Sequence, residues 1–170
     1  MTKALTPTLS RSAGEGAAET RRRPRVPAER ERVRVRAVHR FPVRVYYEDT
    51  DAAGIVYYAN YLKFAERARS EWLREIGGDE AKAMKASGLL FVVRRCEVDY
   101  LQPARLDELL EVATRVTGCA GATLDLEQTV RRDDADLVVM TVTLACLNAA
   151  GRPARLPAAL RAALATLLPA

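Results

Sequence analysis

The chain has 170 residues, of which 49% are hydrophobic and 29% are charged, a globular composition in a length that predicts one domain and excludes two catalytic domains. No apolar run approaches the roughly 20 residues that a membrane span needs, so we expect a soluble, cytoplasmic protein. The net charge of +5 is unevenly placed, because residues 1–40 hold eleven of the 27 basic residues and four of the 22 acidic ones. The remainder is mildly acidic, which argues against a nucleic-acid partner.

The N-terminal stretch is Arg- and Pro-rich and contains no aromatic residue. Such a segment buries too little apolar surface to offset the entropy lost on ordering. We therefore expect a disordered basic extension over residues 1–38 and a folded domain over residues 39–170.

The folded part begins with an alternation that predicts a half-buried strand, with Val43, Val45 and Tyr47 on one face. An acid-rich loop follows, and apolar residues then recur at helical spacing, which predicts one long helix. We expect Gly77 and Gly78 to end that helix. Its apolar stripe consists of Tyr61, Phe64, Ala65, Ala68, Trp72 and Ile76.

Four strand-like stretches and a short closing helix near the C-terminus complete the pattern. The strands are Leu90–Tyr100, Leu109–Thr117, Thr123–Arg131 and Leu137–Leu147. The last is almost wholly apolar, so we place it centrally in the sheet. The order predicts an α+β domain with one helix packed on one face of a mostly antiparallel sheet. One helix cannot cover both faces of such a sheet, so we expect a homodimer or homotetramer.

Several classes of enzyme lack the residues they require. His39 is the only histidine and lies beside the basic extension, and none of the four serines lies in a G-x-S-x-G motif, so a serine or cysteine hydrolase is disfavoured. Cys96, Cys119 and Cys146 are widely spaced, which suggests neither a zinc site nor a disulfide framework and favours small buried side chains. No nucleotide-binding glycine motif is present.

The candidate chemistry lies in residues 47–61, where acids precede a glycine turn that opens the long helix. A helix N-terminus presents unpaired N–H groups and the positive end of the helix dipole, which can polarise a carbonyl group. Asp51 lies just upstream and could act on the same carbonyl carbon. The alternative is that Asp49, Thr50 and Asp51 only satisfy backbone donors of a turn.

The stretch of residues 44–61, RVYYEDTDAAGIVYYANY, resembles the active-site signature of hot-dog-fold acyl-CoA thioesterases of the 4-hydroxybenzoyl-CoA thioesterase family. Within that family it looks closest to the branch linked to the bacterial Tol–Pal cell-envelope system. The similarity continues in residues 64–69, 91–94, 100–107 and 155–157. The resemblance implies a hot-dog fold, in which a five-stranded antiparallel sheet wraps around one long helix.

The resemblance also implies hydrolysis of acyl-CoA to acid and CoA without a metal or cofactor. It assigns Asp51 as the catalytic carboxylate, either nucleophile or general base, and the backbone N–H of Tyr58 as the group that polarises the thioester carbonyl. The chain has Tyr58 where the Tol–Pal branch often has histidine. The turn over residues 118–123 lacks basic residues that some relatives place against the CoA phosphates.

The candidate substrate contacts are Gly54, Tyr57, Asn60, Arg94 and Arg95. All but Gly54 have a structural alternative: Asn60 could cap the helix, Tyr57 could pack between strand and helix, and the arginines could be solvated surface charges. Two other functions remain open. One is a non-catalytic module that binds acyl-CoA or acyl carrier protein, and the other is an interaction protein of the cell-envelope or phospholipid-synthesis machinery.

Overall fold

A computed structural model describes residues 38–168, so the predicted disorder of residues 1–38 falls almost wholly outside the described part. The elements are β1 (Val38–Arg44), a 3-10 turn (Tyr47–Asp49), α1 (Asn60–Ala86), β2 (Leu90–Tyr100), β3 (Leu109–Ala120), β4 (Thr123–Arg132), β5 (Ala135–Leu147) and α2 (Ala158–Ala165). The strands form one sheet in the order β1-β3-β4-β5-β2, with every neighbouring pair antiparallel. The predicted α+β architecture is confirmed.

The strands follow from their alternating side chains, because successive residues of a strand point to opposite faces of the sheet. In β3 the helix-facing residues are Leu110, Val112, Thr114 and Val116, each at most 1% exposed. The nearly all-apolar β5 lies inside the sheet between β4 and β2, while β4 takes the central position.

The predicted apolar stripe of helix α1 packs against β1, β3 and β4. Tyr61, Phe64, Ala65, Ala68 and Trp72 are between 0 and 3% exposed. The first helical run of α1 ends at the glycine pair, as predicted, but a second run follows it directly. Gly78 adopts a left-handed φ of 41°, which interrupts the helix, and a second helical segment continues to Ala86 because one glycine permits the kink without stopping the chain from coiling again.

The start of the sheet differs from the alternation in the sequence. Strand β1 ends at Arg44, and Tyr47 lies in the 3-10 turn with 83% of its surface exposed. The cause is local: the Asp49 carboxylate accepts a hydrogen bond from the Tyr46 amide (2.9 Å) and bends the chain out of the strand. His39 lies in β1, with its Nε2 atom 3.3 Å from the Glu75 carboxylate.

Strand β2 is an edge of the sheet, and much of it is exposed. Cys96 is exposed on this strand, which contradicts the expectation of a buried side chain, whereas Cys146 is buried and Cys119 is partly buried. The difference arises because α1 packs on the opposite half of the sheet. In the part of the chain that the structure describes, no helix has the length and hydrophobicity to cross a membrane.

Candidate active site

The acid-rich loop between β1 and α1 folds into a tight turn around Asp51. The Asp51 amide donates to the Ile55 carbonyl (2.9 Å), and the Gly54 amide donates to the Asp51 carbonyl (2.9 Å). The carboxylate Oδ1 of Asp51 accepts a hydrogen bond from the Ala53 amide (2.8 Å), while the residue as a whole is exposed. Gly54 closes the turn with a φ of 72°, a conformation that favours glycine. One carboxylate oxygen therefore orients the side chain, and the other has no hydrogen-bond partner among the described residues.

Asp49, two residues earlier, has a different role, because it is buried with 3% of its surface exposed. Its carbonyl accepts hydrogen bonds from the Tyr57 amide (2.9 Å) and from the side-chain Nδ2 of Asn60 (2.9 Å). Residue 49 thus ties the acid-rich loop to the start of α1. The structural alternative for this group of acids holds for Asp49, and nothing in the sequence pattern distinguishes the two aspartates.

The entry to α1 leaves a backbone donor free. The Asn60 amide donates to the Tyr57 carbonyl (2.8 Å) and the Leu62 amide donates to the Ala59 carbonyl (3.2 Å). The bonds of this turn leave the Tyr58 amide without an acceptor among the described residues. It lies at the positive end of the helix, where an N–H group stabilises negative charge.

Four tyrosines surround this entry. The rings of Tyr57 and Tyr58 lie 4.6 Å apart between centroids, and Tyr100 meets Tyr58 edge-on at 6.2 Å and Tyr61 at 6.0 Å. Contact with the Tyr58 hydroxyl raises the pKa of Tyr57, and burial and the Asp51 carboxylate add to that effect. Burial raises the pKa of Tyr100 and of Tyr61. The raised pKa values keep the phenols of Tyr57, Tyr61 and Tyr100 protonated at neutral pH.

The segment that follows β2 holds the acid-rich loop through backbone hydrogen bonds. The Val56 amide donates to the Ala104 carbonyl (2.9 Å), and the Ala104 amide donates to the hydroxyl of Tyr61 (2.8 Å). Ile55 and Arg105 form an isolated antiparallel bridge. The family resemblance includes this segment. The pattern of its residues, however, does not predict that it binds the acid-rich loop.

The predicted site residues fall into two groups. The structure brings together Asp51, Gly54, Tyr57, Tyr58 and Asn60 in the loop and the helix entry, with Asn60 only 5% exposed and bonded to the loop. Arg94 and Arg95 lie at a register shift in β2, five to six residues before Tyr100, which is about 17–20 Å along a strand. Both are exposed, and Arg95 pairs with Glu97. Within residues 38–168 no cluster of His, Cys, Asp and Glu could hold a metal ion.

A sheet of this order with a long helix on one face and an acid-bearing turn at the helix entry is a hot-dog domain of the thioester-cleaving class. The chain belongs to the thioesterase-like superfamily, whose family model matches residues 45–164.

Relatives and solved structures agree with that membership. The acyl-CoA thioesterase YbgC of Haemophilus influenzae is 47% identical over 108 residues, which are 64% of this chain and 79% of that protein. The acyl-CoA thioester hydrolase YbgC of Escherichia coli O157:H7 is 50% identical over 91 residues, covering 54% and 67% respectively. A probable thioesterase from Bartonella henselae is 42% identical with a TM-score of 0.65, covering 71% of this chain and 99% of that one.

A further solved structure is that of a thioesterase from Thermus thermophilus complexed with coenzyme A and zinc. It is 33% identical to this chain with a TM-score of 0.66, and the match covers 77% of this chain and 93% of that one. Together the comparisons confirm the predicted hot-dog fold and the predicted class of enzyme, a thioester hydrolase.

Proposed function

We propose that this protein hydrolyses acyl-CoA thioesters to a free acid and CoA, with Asp51 as the catalytic carboxylate and the N-terminus of α1 polarising the thioester carbonyl. The observation that carries the proposal is the pairing of an exposed, oriented carboxylate with the free amide of Tyr58. Asp49 holds the two together, because its carbonyl binds the amide of Tyr57 and the side chain of Asn60. The YbgC relatives support acyl-CoA as the substrate class.

The chemistry follows from these positions. The thioester oxygen accepts a hydrogen bond from the Tyr58 amide, and the helix dipole stabilises the negative charge that develops on this oxygen. In one route Asp51 attacks the carbonyl carbon, the C–S bond breaks to release the CoA thiolate, and water hydrolyses the mixed anhydride. In the other, Asp51 takes a proton from a water molecule that attacks the same carbon, the C–S bond breaks, and the proton passes from Asp51 to the CoA thiolate. Either route regenerates the carboxylate.

The other site residues support this arrangement. Gly54 allows the left-handed turn that presents Asp51, and Asn60 positions the helix entry through Asp49. Tyr57 lines the thioester. Arg94 and Arg95 bind the CoA phosphates in this proposal. Their distance from Tyr100 is compatible with that role, because the long pantetheine arm separates the phosphates from the reacting carbonyl.

The proposed assembly is a homodimer or homotetramer. Strand β2 presents an unpaired edge of eleven residues, with Leu90, Val93 and Tyr100 each 47–49% exposed. An exposed, partly apolar edge favours pairing with another strand, and the second copy of the chain is the available partner.

The deciding experiment compares the wild type with Asp51→Asn on thioesters of short, medium, long and aromatic acyl groups, carried on CoA and on acyl carrier protein. Loss of thioester absorbance follows the reaction without reagents that would also titrate Cys96. We expect Asp51→Asn to lose roughly a hundredfold or more in kcat. Asp134→Asn, an exposed aspartate in the β4–β5 turn, is the matched control and keeps full activity.

The proposal fails if Asp51→Asn is as active as the wild type. It also fails if the wild type binds these thioesters and hydrolyses none of them, which would identify a binding module instead.

A further inference from the structure

Tyr100, the last residue of β2, contacts the helix entry from outside the acid-rich loop. Its hydroxyl donates a hydrogen bond to the carbonyl oxygen of Tyr58 (3.2 Å). Its ring meets the ring of Tyr58 edge-on, with an interplanar angle of 87°, and also meets the ring of Tyr61. The sequence placed residue 100 at the end of a strand and within the family resemblance, and gave it no role in the site.

The Tyr58 carbonyl lies outside the hydrogen-bond ladder of α1. In a continuing α-helix it would accept from the amide of Leu62, four residues later. That amide donates instead to Ala59 (3.2 Å). The Tyr100 hydroxyl is thus the donor that the structure gives to this carbonyl, and it helps to fix the orientation of the peptide group between Tyr58 and Ala59.

The strand that carries Tyr100 is a firm support. Tyr100 pairs with Val138 of β5, and the next amide, that of Leu101, donates to the Leu137 carbonyl (2.8 Å). Tyr61, which packs against the Tyr100 ring, accepts the Ala104 amide through its hydroxyl (2.8 Å). A phenol held at both its backbone and its ring can fix the peptide that it binds.

We propose that Tyr100 is a positioning residue of the thioester site, which holds the Tyr58 peptide so that the neighbouring amide of Tyr58 points at the substrate carbonyl. This inference rests on the proposed function. Since the amide acts most strongly on the charge that develops in the transition state, removing the Tyr100 hydroxyl lowers kcat and leaves substrate binding nearly unchanged.

The first test is Tyr100→Phe, which removes the hydroxyl and keeps the ring contacts. One hydrogen bond of ordinary strength corresponds to a roughly five- to tenfold loss of kcat, with about twofold or less change in KM. The control is Thr117→Val, which removes an exposed hydroxyl on β3 away from the site, and it keeps wild-type kinetics. Unchanged kcat in Tyr100→Phe, or a raised KM with unchanged kcat, would overturn the inference.

The second test is infrared spectroscopy of the bound substrate. A general loss of stability does not shift the carbonyl stretching frequency that this method measures. The Asp51→Asn protein is saturated with the best substrate of the wild type, labelled with ¹³C at the thioester carbonyl. Binding lowers the carbonyl stretching frequency because the amide polarises the bond, and we expect the added Tyr100→Phe change to return it toward the solution value. An identical frequency with and without the Tyr100 hydroxyl refutes the positioning role.

The two proposals fail in different ways. If the wild type hydrolyses no thioester of the panel, the proposed function is wrong. If it hydrolyses them and Tyr100→Phe behaves like the wild type, only the role of Tyr100 is wrong.

Discussion

A buried polar network joins α1 to the sheet, and its removal should lower the stability of the fold. Arg69 is 7% exposed, and its guanidinium donates to the side-chain oxygen of Gln128 and to the Glu66 carboxylate. Gln128 is fully buried and donates from Nε2 to the Ala65 carbonyl (3.0 Å) and to the Thr114 hydroxyl (2.9 Å). One glutamine therefore links the helix to two strands.

The cost of removing Gln128 follows from what is left behind. In Gln128→Leu the buried guanidinium of Arg69 keeps only Glu66, and the Thr114 hydroxyl loses its donor. Losing a hydrogen bond to a buried charged group in this way costs about 1.5–3 kcal/mol. Arg69→Met removes the guanidinium charge and leaves the side-chain oxygen of Gln128 without its hydrogen-bond donor. Leaving that buried oxygen unpaired costs about 1–3 kcal/mol. The double variant leaves fewer orphaned groups, so it should cost about 2 kcal/mol less than the two single costs added together.

The measurement is equilibrium unfolding in urea at equal protein concentrations, followed by fluorescence. Trp72 is the only tryptophan and is 3% exposed, so its emission reports directly on the packing of α1. Arg74→Met is the control on the same helix, because that side chain is 68% exposed and pairs with the partly exposed Glu71. An exposed pair of this kind contributes at most about 1 kcal/mol.

Two outcomes would contradict this account of the network. Single substitutions that each cost no more than Arg74→Met would show that the network does not join the helix to the sheet. Strict additivity in the double variant would show that Arg69 and Gln128 do not act on each other.

Two further predictions concern the helix entry and pH. Asn60→Ala removes the side-chain bond to the Asp49 carbonyl, so kcat should fall about fivefold with the fold retained by circular dichroism; full activity would exclude the positioning role. Burial raises the pKa of Cys96, Cys119 and Cys146. The unfolded thiols ionise first, so the melting temperature should hold up to about pH 8.5 and decline as pH rises through the folded pKa values. A flat or rising profile to about pH 10 would contradict this linkage.

The order of the elements and most of their limits are readable from the amino-acid sequence alone. Strand β2 is found at its predicted bounds, and β3, β4 and β5 extend by one to three residues beyond theirs. The apolar stripe of α1 is buried as its spacing predicts. These features are predictable because side-chain periodicity is a local property, which is visible along the chain wherever one face of an element meets the core.

Long-range packing settles what the local pattern leaves open. Asp49 and Asp51 are the same residue type two positions apart, yet one is buried beneath the helix entry and the other is exposed beside it. Asp49 is held at both its ends, because the Tyr46 amide binds its carboxylate while Tyr57 and Asn60 of the helix entry bind its carbonyl. In the same way only the folded chain brings Tyr100 to Tyr58, 42 residues earlier. Contacts between residues far apart in sequence leave no periodic signal, so the identity of the exposed carboxylate and its supports depends on the packing of the sheet against the helix.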